Sequence, residues 1–166
     1  TQAGVSAGSF NARSAWAQHG ERKGEWETMA SIQVSKTDGD ASIVERDLQS
    51  QLDDVFATNI SLAPGPVRRG TKSIDARVEA KTERVVARLG YQGIYDDEVA
   101  VGIAGALDPQ GTFNSDRISA DIAYARDDLM QDWVWTTRAN ALYLTQEPDE
   151  YSQLFPPGAF GGTFPD

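Results

Sequence analysis

The residues of this chain that could do chemistry are its carboxylates and one imidazole. His19 is the single histidine and has no carboxylate beside it, so a Ser-His-Asp relay would have to be assembled on it from distant parts of the chain. Cysteine is absent, which removes thiolate nucleophiles, thiolate zinc ligands and disulfides. Acidic residues gather at Asp96-Asp97-Glu98, at Asp127-Asp128 with Asp132, and between Asp108 and Asp116. Oxygen-rich loops hold Ca²⁺, and Asp108, Asn114 and Asp116 are the candidate ligands. Their spacing matches no EF-hand or nonapeptide pattern, and turns use Asp, Asn and Gly for backbone reasons alone. Two carboxylates meeting across a fold would make an acid pair for hydrolysis, but no spacing selects a pair. Gly102 and Gly105 fall in an apolar, β-prone run, where close packing explains them better than a phosphate loop does. The residues therefore point to no catalytic group, no resident metal and no cofactor.

Aromatic residues are the other candidates. Trp133 and Trp135 alternate along a β-prone segment and form either an aromatic platform for a sugar, lipid or partner protein, or core beside Trp26. Phe10, Trp16, Phe155, Phe160 and Phe164 are spaced along the two ends of the chain, where an anchor would enter a pocket on a neighbouring subunit.

At 166 residues the chain fits one domain, and without cysteine its core has to come from apolar packing. The net charge of -10 is uneven: residues 1–90 balance 12 basic against 12 acidic residues, and residues 91–166 carry 3 against 13. So acidic a surface repels phosphate backbones, which argues against wrapping of nucleic acid. No apolar run reaches the roughly 18 residues of a helical membrane span, so no membrane span is expected. The first residue is Thr1, which fits removal of either an initiator Met or a leader.

The elements that must position these residues read mainly as strands. Glu25–Lys36 alternates with Trp26, Thr28, Ala30, Ile32 and Val34 on one face. Glu98–Leu107 is apolar on both faces, as a central, doubly covered strand is, and Asp108-Pro109-Gln110-Gly111 is expected to close its hairpin. Arg117–Arg126 alternates Ile118, Ala120, Ile122 and Tyr124 against Ser119 and Asp121, and Asp132–Thr145 is β-prone throughout. Residues 42–57 have helical spacing, with Ser42 and Glu45 as a capping box. Lys72–Leu89 fits a strand with a bulge near Arg84, or a helix over 73–89. Thr58–Leu62 suits a short strand before a Pro-Gly loop. Residues 1–24 read as a Gly/Ser/Ala-rich arm with a short helix at 11–19, residues 25–145 as one β-rich domain, and residues 146–166 as a Pro-rich arm.

The ending Pro156 to Phe164 resembles, over nine residues of low complexity, the close of bacterial surface barrels of the transferrin-binding lipoprotein type. The Gly- and Asn-rich hairpins that should precede it are missing, and no family is assigned from it. The fold expected is mainly β, an antiparallel sandwich or barrel with one amphipathic helix, or else α+β if 73–89 is helical. The function expected is a non-catalytic subunit of a virion, tube, filament or other homo-oligomeric assembly, held by its two ends. The alternatives are a secreted or surface barrel binding a ligand or partner protein near Asp108–Asp116 and Trp135, and an acid-pair hydrolase.

Overall fold

The structure, a computed structural model, describes residues 1–102, 105–128 and 132–149. Strands β1 (Gln2–Ala7), β2 (Arg13–Lys23), β3 (Trp26–Thr37), β6 (Thr71–Lys81), β7 (Val85–Val101), β8 (Leu107–Arg126) and β9 (Trp135–Asp149) form one antiparallel sheet in that order. Strands β4 (Ser42–Val44) and β5 (Gly65–Val67) form a small ribbon, and α1 (Leu48–Phe56) lies between them in sequence. The chain is thus mainly β with one helix, as its alternating segments imply. Among the described residues the large sheet is neither closed nor faced by a second one. Its edges are β1 and β9.

Several elements differ from the sequence reading, each for a local reason. Residues 2–7 and 13–23, expected as an arm with a short helix, form two strands in register with β3. The apolar members of their outward face are chiefly alanines (Ala3, Ala7, Ala15 and Ala17), too weakly apolar to show the period of 2. Residues 73–89 hold no helix: β6 ends at Lys81, and Thr82 makes the turn by accepting from the backbone N–H groups of Arg84 and Val85. The turn stands where the alternation called for a bulge. The hairpin expected at 108–111 closes earlier, where Gly102 and Gly105 each donate a turn hydrogen bond, and Asp108–Gly111 lie within β8. Of the expected strand at 98–107, Glu98–Val101 form the end of β7 and Leu107 opens β8, so its described residues belong to two strands. Thr58–Leu62 forms no strand, whereas Gly65–Val67 does.

The helix is shorter than its apolar spacing suggests, because Asp47 replaces Ser42 as the cap. Its carboxylate accepts from the N–H of Ser50 (2.7 Å) at the helix start and from the N–H of Leu107 (2.7 Å) across the fold. Ser42 is drawn instead into β4, opposite Val67. Asp53 ties off the other end, accepting from Thr58 Oγ1 and from the N–H groups of Ile60 and Ser61. Around this polar knot lies what the described residues have of a buried apolar core: Val67, Ala100, Ala106 and Leu107. Burial pushes the Asp53 carboxyl up, but these hydrogen bonds, with one from Gln49, outweigh it and hold the pKa down to about 2. A depressed carboxylate stabilises the fold above its ordinary pKa and loses that contribution as pH falls through the folded value. The amide shifts of Ile60 and Ser61 are therefore expected to titrate near pH 2, not at the ordinary aspartate value, and to lose that transition in Asp53→Asn.

Candidate functional site

The pleat sorts the side chains of the large sheet onto two faces, and the pair registers identify each face. One face carries the row Ala17, Ile32, Ala76, Tyr91, Ile118 and Tyr143, flanked by Ala30, Val78, Leu89, Ala120 and Ala141. The other carries the row Trp16, Gln33, Asp75, Gln92, Arg117 and Leu144. Among the described residues no element is packed extensively on either face except β5 against β8. The apolar face is consequently open: Leu89 is 55% exposed, Val78 50% and Ile122 52%. A contiguous uncovered apolar patch of this extent marks a contact with something other than water.

Curvature tells the two faces apart. A cleft of ≈ 870 Å³ lies on the polar face and runs across β2, β3, β6, β7, β8 and β9, lined by Trp16, Gln33, Asp75, Gln92 and Arg117 among others. A cleft spanning six neighbouring strands of one sheet is what a sheet curled toward that side presents. The concave side is polar and the convex side apolar. Trp16, Met29, Ile94, Leu142 and Leu144 are the large exposed apolar interruptions on the concave side.

The concave face is laced by ion pairs. Glu27 faces Lys81 (2.9 Å) and Arg22 (3.4 Å), Asp75 faces Arg77 (2.9 Å), Arg88 bridges Glu79 (2.7 Å) and Asp121 (3.2 Å), and Arg138 meets Asp121 (2.6 Å). Arg138, then Arg88, hold the Asp121 carboxyl below its usual value, and Lys81 does the same for Glu27. On the convex face, charge stands at the ends of the apolar stretches: Arg13, Lys36 and Lys72 at one end, Glu21, Lys23 and Arg126 at the other. Asp116, at the margin of the convex stretch on β8, accepts hydrogen bonds from the Tyr91 and Tyr95 hydroxyls, which lower its pKa.

The residues singled out from the sequence scatter over this frame. Asp108, Asn114 and Asp116 do not converge, because all three lie on β8, where about 3.3 Å of rise per residue separates the outer two by roughly 26 Å. Asp108 instead accepts from the N–H groups of Gln110 and Gly111, and Asn114 from that of Asp96. Among the described residues no group of three or more His, Cys, Asp or Glu could hold a metal ion. His19 bonds the Thr1 hydroxyl (2.7 Å). Phe10 is exposed in the turn before β2, whereas Trp16 lies on the concave face with its indole over Gly4. Trp133 and Trp135 are exposed and form no core with Trp26. Phe155, Phe160 and Phe164, and the ending that resembles surface barrels, lie outside the described residues. The sequence reading missed Arg117 and the ion-pair ladder, whose members sit on six different strands. The regular alternation of β3, β6 and β8 was the signal that could have assembled them.

Among the described residues no helix is long and apolar enough to cross a membrane. Comparison with protein families, with curated proteins and with solved structures finds no match. The ion-pair ladder makes its own test possible. Replacing Arg138 with Gln is expected to raise the Asp121 carboxyl titration, followed by ¹³C NMR, toward the ordinary aspartate value. Arg88 should keep it from arriving there.

Proposed function

We propose that this sheet is part of the wall of a membrane-embedded β-barrel, its convex apolar surface facing lipid and its concave polar surface facing an aqueous lumen. One observation carries the reading: curvature and polarity are paired in the sense opposite to a water-soluble barrel or sandwich. There the enclosed side holds the apolar core. Here the enclosed side holds Asp75, Arg77, Arg88, Arg117 and Asp121, and the outer side holds Ile32, Val78, Leu89 and Ile122.

Four further features support it. Between Asp116 and Arg126 the convex face of β8 shows only Ile118, Ala120, Ile122 and Tyr124 over nine residues, near the 9–11 that a tilted strand needs to cross a bilayer. Trp26, Tyr124 and Trp135 stand near one margin of the band and Tyr91, Tyr95 and Tyr143 toward the other, where amphipathic rings meet headgroups. The band also slides along the registers, from Ala15 and Ala17 on β2 to Trp135–Tyr143 on β9, as tilted strands crossing a flat layer require. Finally, the connections are unequal. Residues 24–25, 82–84 and 127–134 join strands at one end, and 8–12, 38–70 and 102–106 at the other, where the long 38–70 segment folds over the rim.

Strands β1 and β9 run in the same direction, because seven strands alternate between them. All-antiparallel closure therefore needs an odd number of further strands between these edges, supplied by additional polypeptide or by other subunits. Both edges are free among the described residues, and copies of this chain turned about the barrel axis would bring β9 against β1 in parallel, so the homo-oligomeric assembly expected from the sequence supplies antiparallel closure only together with further strands. In this reading the protein is non-catalytic and its lumen admits or holds small polar solutes. The earlier expectation against a membrane span rested on helical runs and does not bear on strands.

Charge placed on each face separates lipid from water. The full chain is expected to float with phosphatidylcholine vesicles in a density gradient. Ile32→Arg, on the convex face, should cost about 2–4 kcal/mol of stability in vesicles, while Gln33→Arg on the concave face should cost little. A chain that stays in the aqueous fraction, or two variants that behave alike, contradicts the reading.

A further inference from the structure

The concave face is more basic than the chain it belongs to. Over the continuous registers up to the β7 bulge after Ile94, it carries Arg22, Arg77, Lys81, Arg88, Arg117 and Arg138 against Glu27, Asp75, Glu79 and Asp121. Cations are in excess there, in a protein of net charge -10. Asp97 is the next carboxylate on that side, beyond the bulge. Every cation named is paired with a carboxylate except Arg117, which has no hydrogen-bond or ion-pair partner among the described residues.

The surroundings of Arg117 suit a bound anion. It stands in the cleft between Gln92 on β7 and Leu144 on β9. Ser115 and Ser119, on the same face of β8, flank it, and neither hydroxyl has a partner among the described residues. Gly90, opposite Ser119, leaves the floor bare, and a Cβ there would come within 2.8 Å of the Ser119 hydroxyl. Leu142 and Leu144, opposite Ser119 and Arg117 on β9, bound the other flank with apolar side chains that offer the anion no competing acceptor. The nearest carboxylates on the face do not compete, since Asp75 is held by Arg77 and Asp121 by Arg88 and Arg138.

We propose that Arg117, with Ser115 and Ser119, forms a binding site for a small oxyanion, phosphate or carboxylate, on the concave face. A guanidinium offers two parallel N–H donors to such a group, and free hydroxyls supply the remaining bonds. The site deepens the barrel reading by naming the solute class of the lumen, and it rests on that reading only for how the anion arrives.

The test is calorimetric titration of the full chain in detergent micelles with inorganic phosphate and, separately, with acetate. Phosphate is expected to bind to the unaltered chain. Its affinity should fall about ten-fold or more in Arg117→Gln, on the scale of one charge-assisted hydrogen bond, and stay unchanged in Lys36→Gln on the other face. Parallel loss of acetate binding would show that the site reads the oxyanion and not phosphorus. Absence of phosphate binding, or equal binding by Arg117→Gln, overturns the site. A chain that floats with vesicles yet binds no phosphate refutes this site alone. One that binds phosphate through Arg117 but does not float refutes the membrane reading alone.

Discussion

A pleated strand sends successive side chains to opposite sides, and a sheet covered on neither side makes that alternation decide everything else. In this protein seven strands obey it together. Rows of apolar side chains continue from β1 to β9 on one face, and rows of charged and amide side chains on the other. Burying one large aliphatic side chain away from water is worth about 1.5–3 kcal/mol, so an open face holding Ile32, Val78, Leu89 and Ile122 draws on its surroundings for stability. The sense of curling then assigns a medium to each face, because only the concave side can enclose an aqueous space.

The rest of the architecture follows from leaving the core out of the sheet. What buried apolar packing the described residues show sits at one end, where Val67, Ala100 and Leu107 meet beside α1. There the carboxylate of Asp47 satisfies the buried backbone donor of Leu107, and that of Asp53 the part-buried one of Ser61. This knot fixes the 38–70 connection over the end of the β7–β8 hairpin. The sheet itself is held by its ladder of backbone hydrogen bonds and by ion pairs such as Arg88 with Glu79 and Asp121. Exposed pairs of that kind contribute little each. They do neutralise one another, and Arg117 stands out because no described residue neutralises it.

Much of the fold was legible in the sequence where side chains differ enough in polarity. The face assignments for 26–34 and 118–124 are those of β3 and β8, the strand alternative for Lys72–Leu89 is realised in β6 as far as Lys81, and residues 42–57 do contain the helix. What alternation cannot convey is the medium. A period of 2 looks the same whether the apolar side is covered by a second sheet or by lipid, so these residues read as core although they are exposed. β1 and β2 escaped notice because Ala3, Ala15 and Ala17 make a weak apolar stripe. The helix boundary shifted because Asp47 serves both Ser50 and a residue sixty positions away, Leu107, which no local pattern reveals. The concave site was illegible for the same reason, since Arg117 owes its character to Gln92 and Leu144 on other strands and to the lack of any carboxylate within reach.

Because the chain contains no cysteine, spin labels can be placed one at a time along β8 from residue 117 to residue 124 without altering any native thiol. Their collision rates with dissolved oxygen and with a water-soluble nickel chelate, in protein reconstituted into vesicles, test the central claim most directly. The expected result is a period of 2 in opposite phase. Oxygen should relax labels at 118, 120, 122 and 124, and the chelate those at 117, 119, 121 and 123. If the chelate reaches both sets alike, or if the even positions are shielded from both reagents as in a protein interior, lipid does not face the apolar side and the account is wrong.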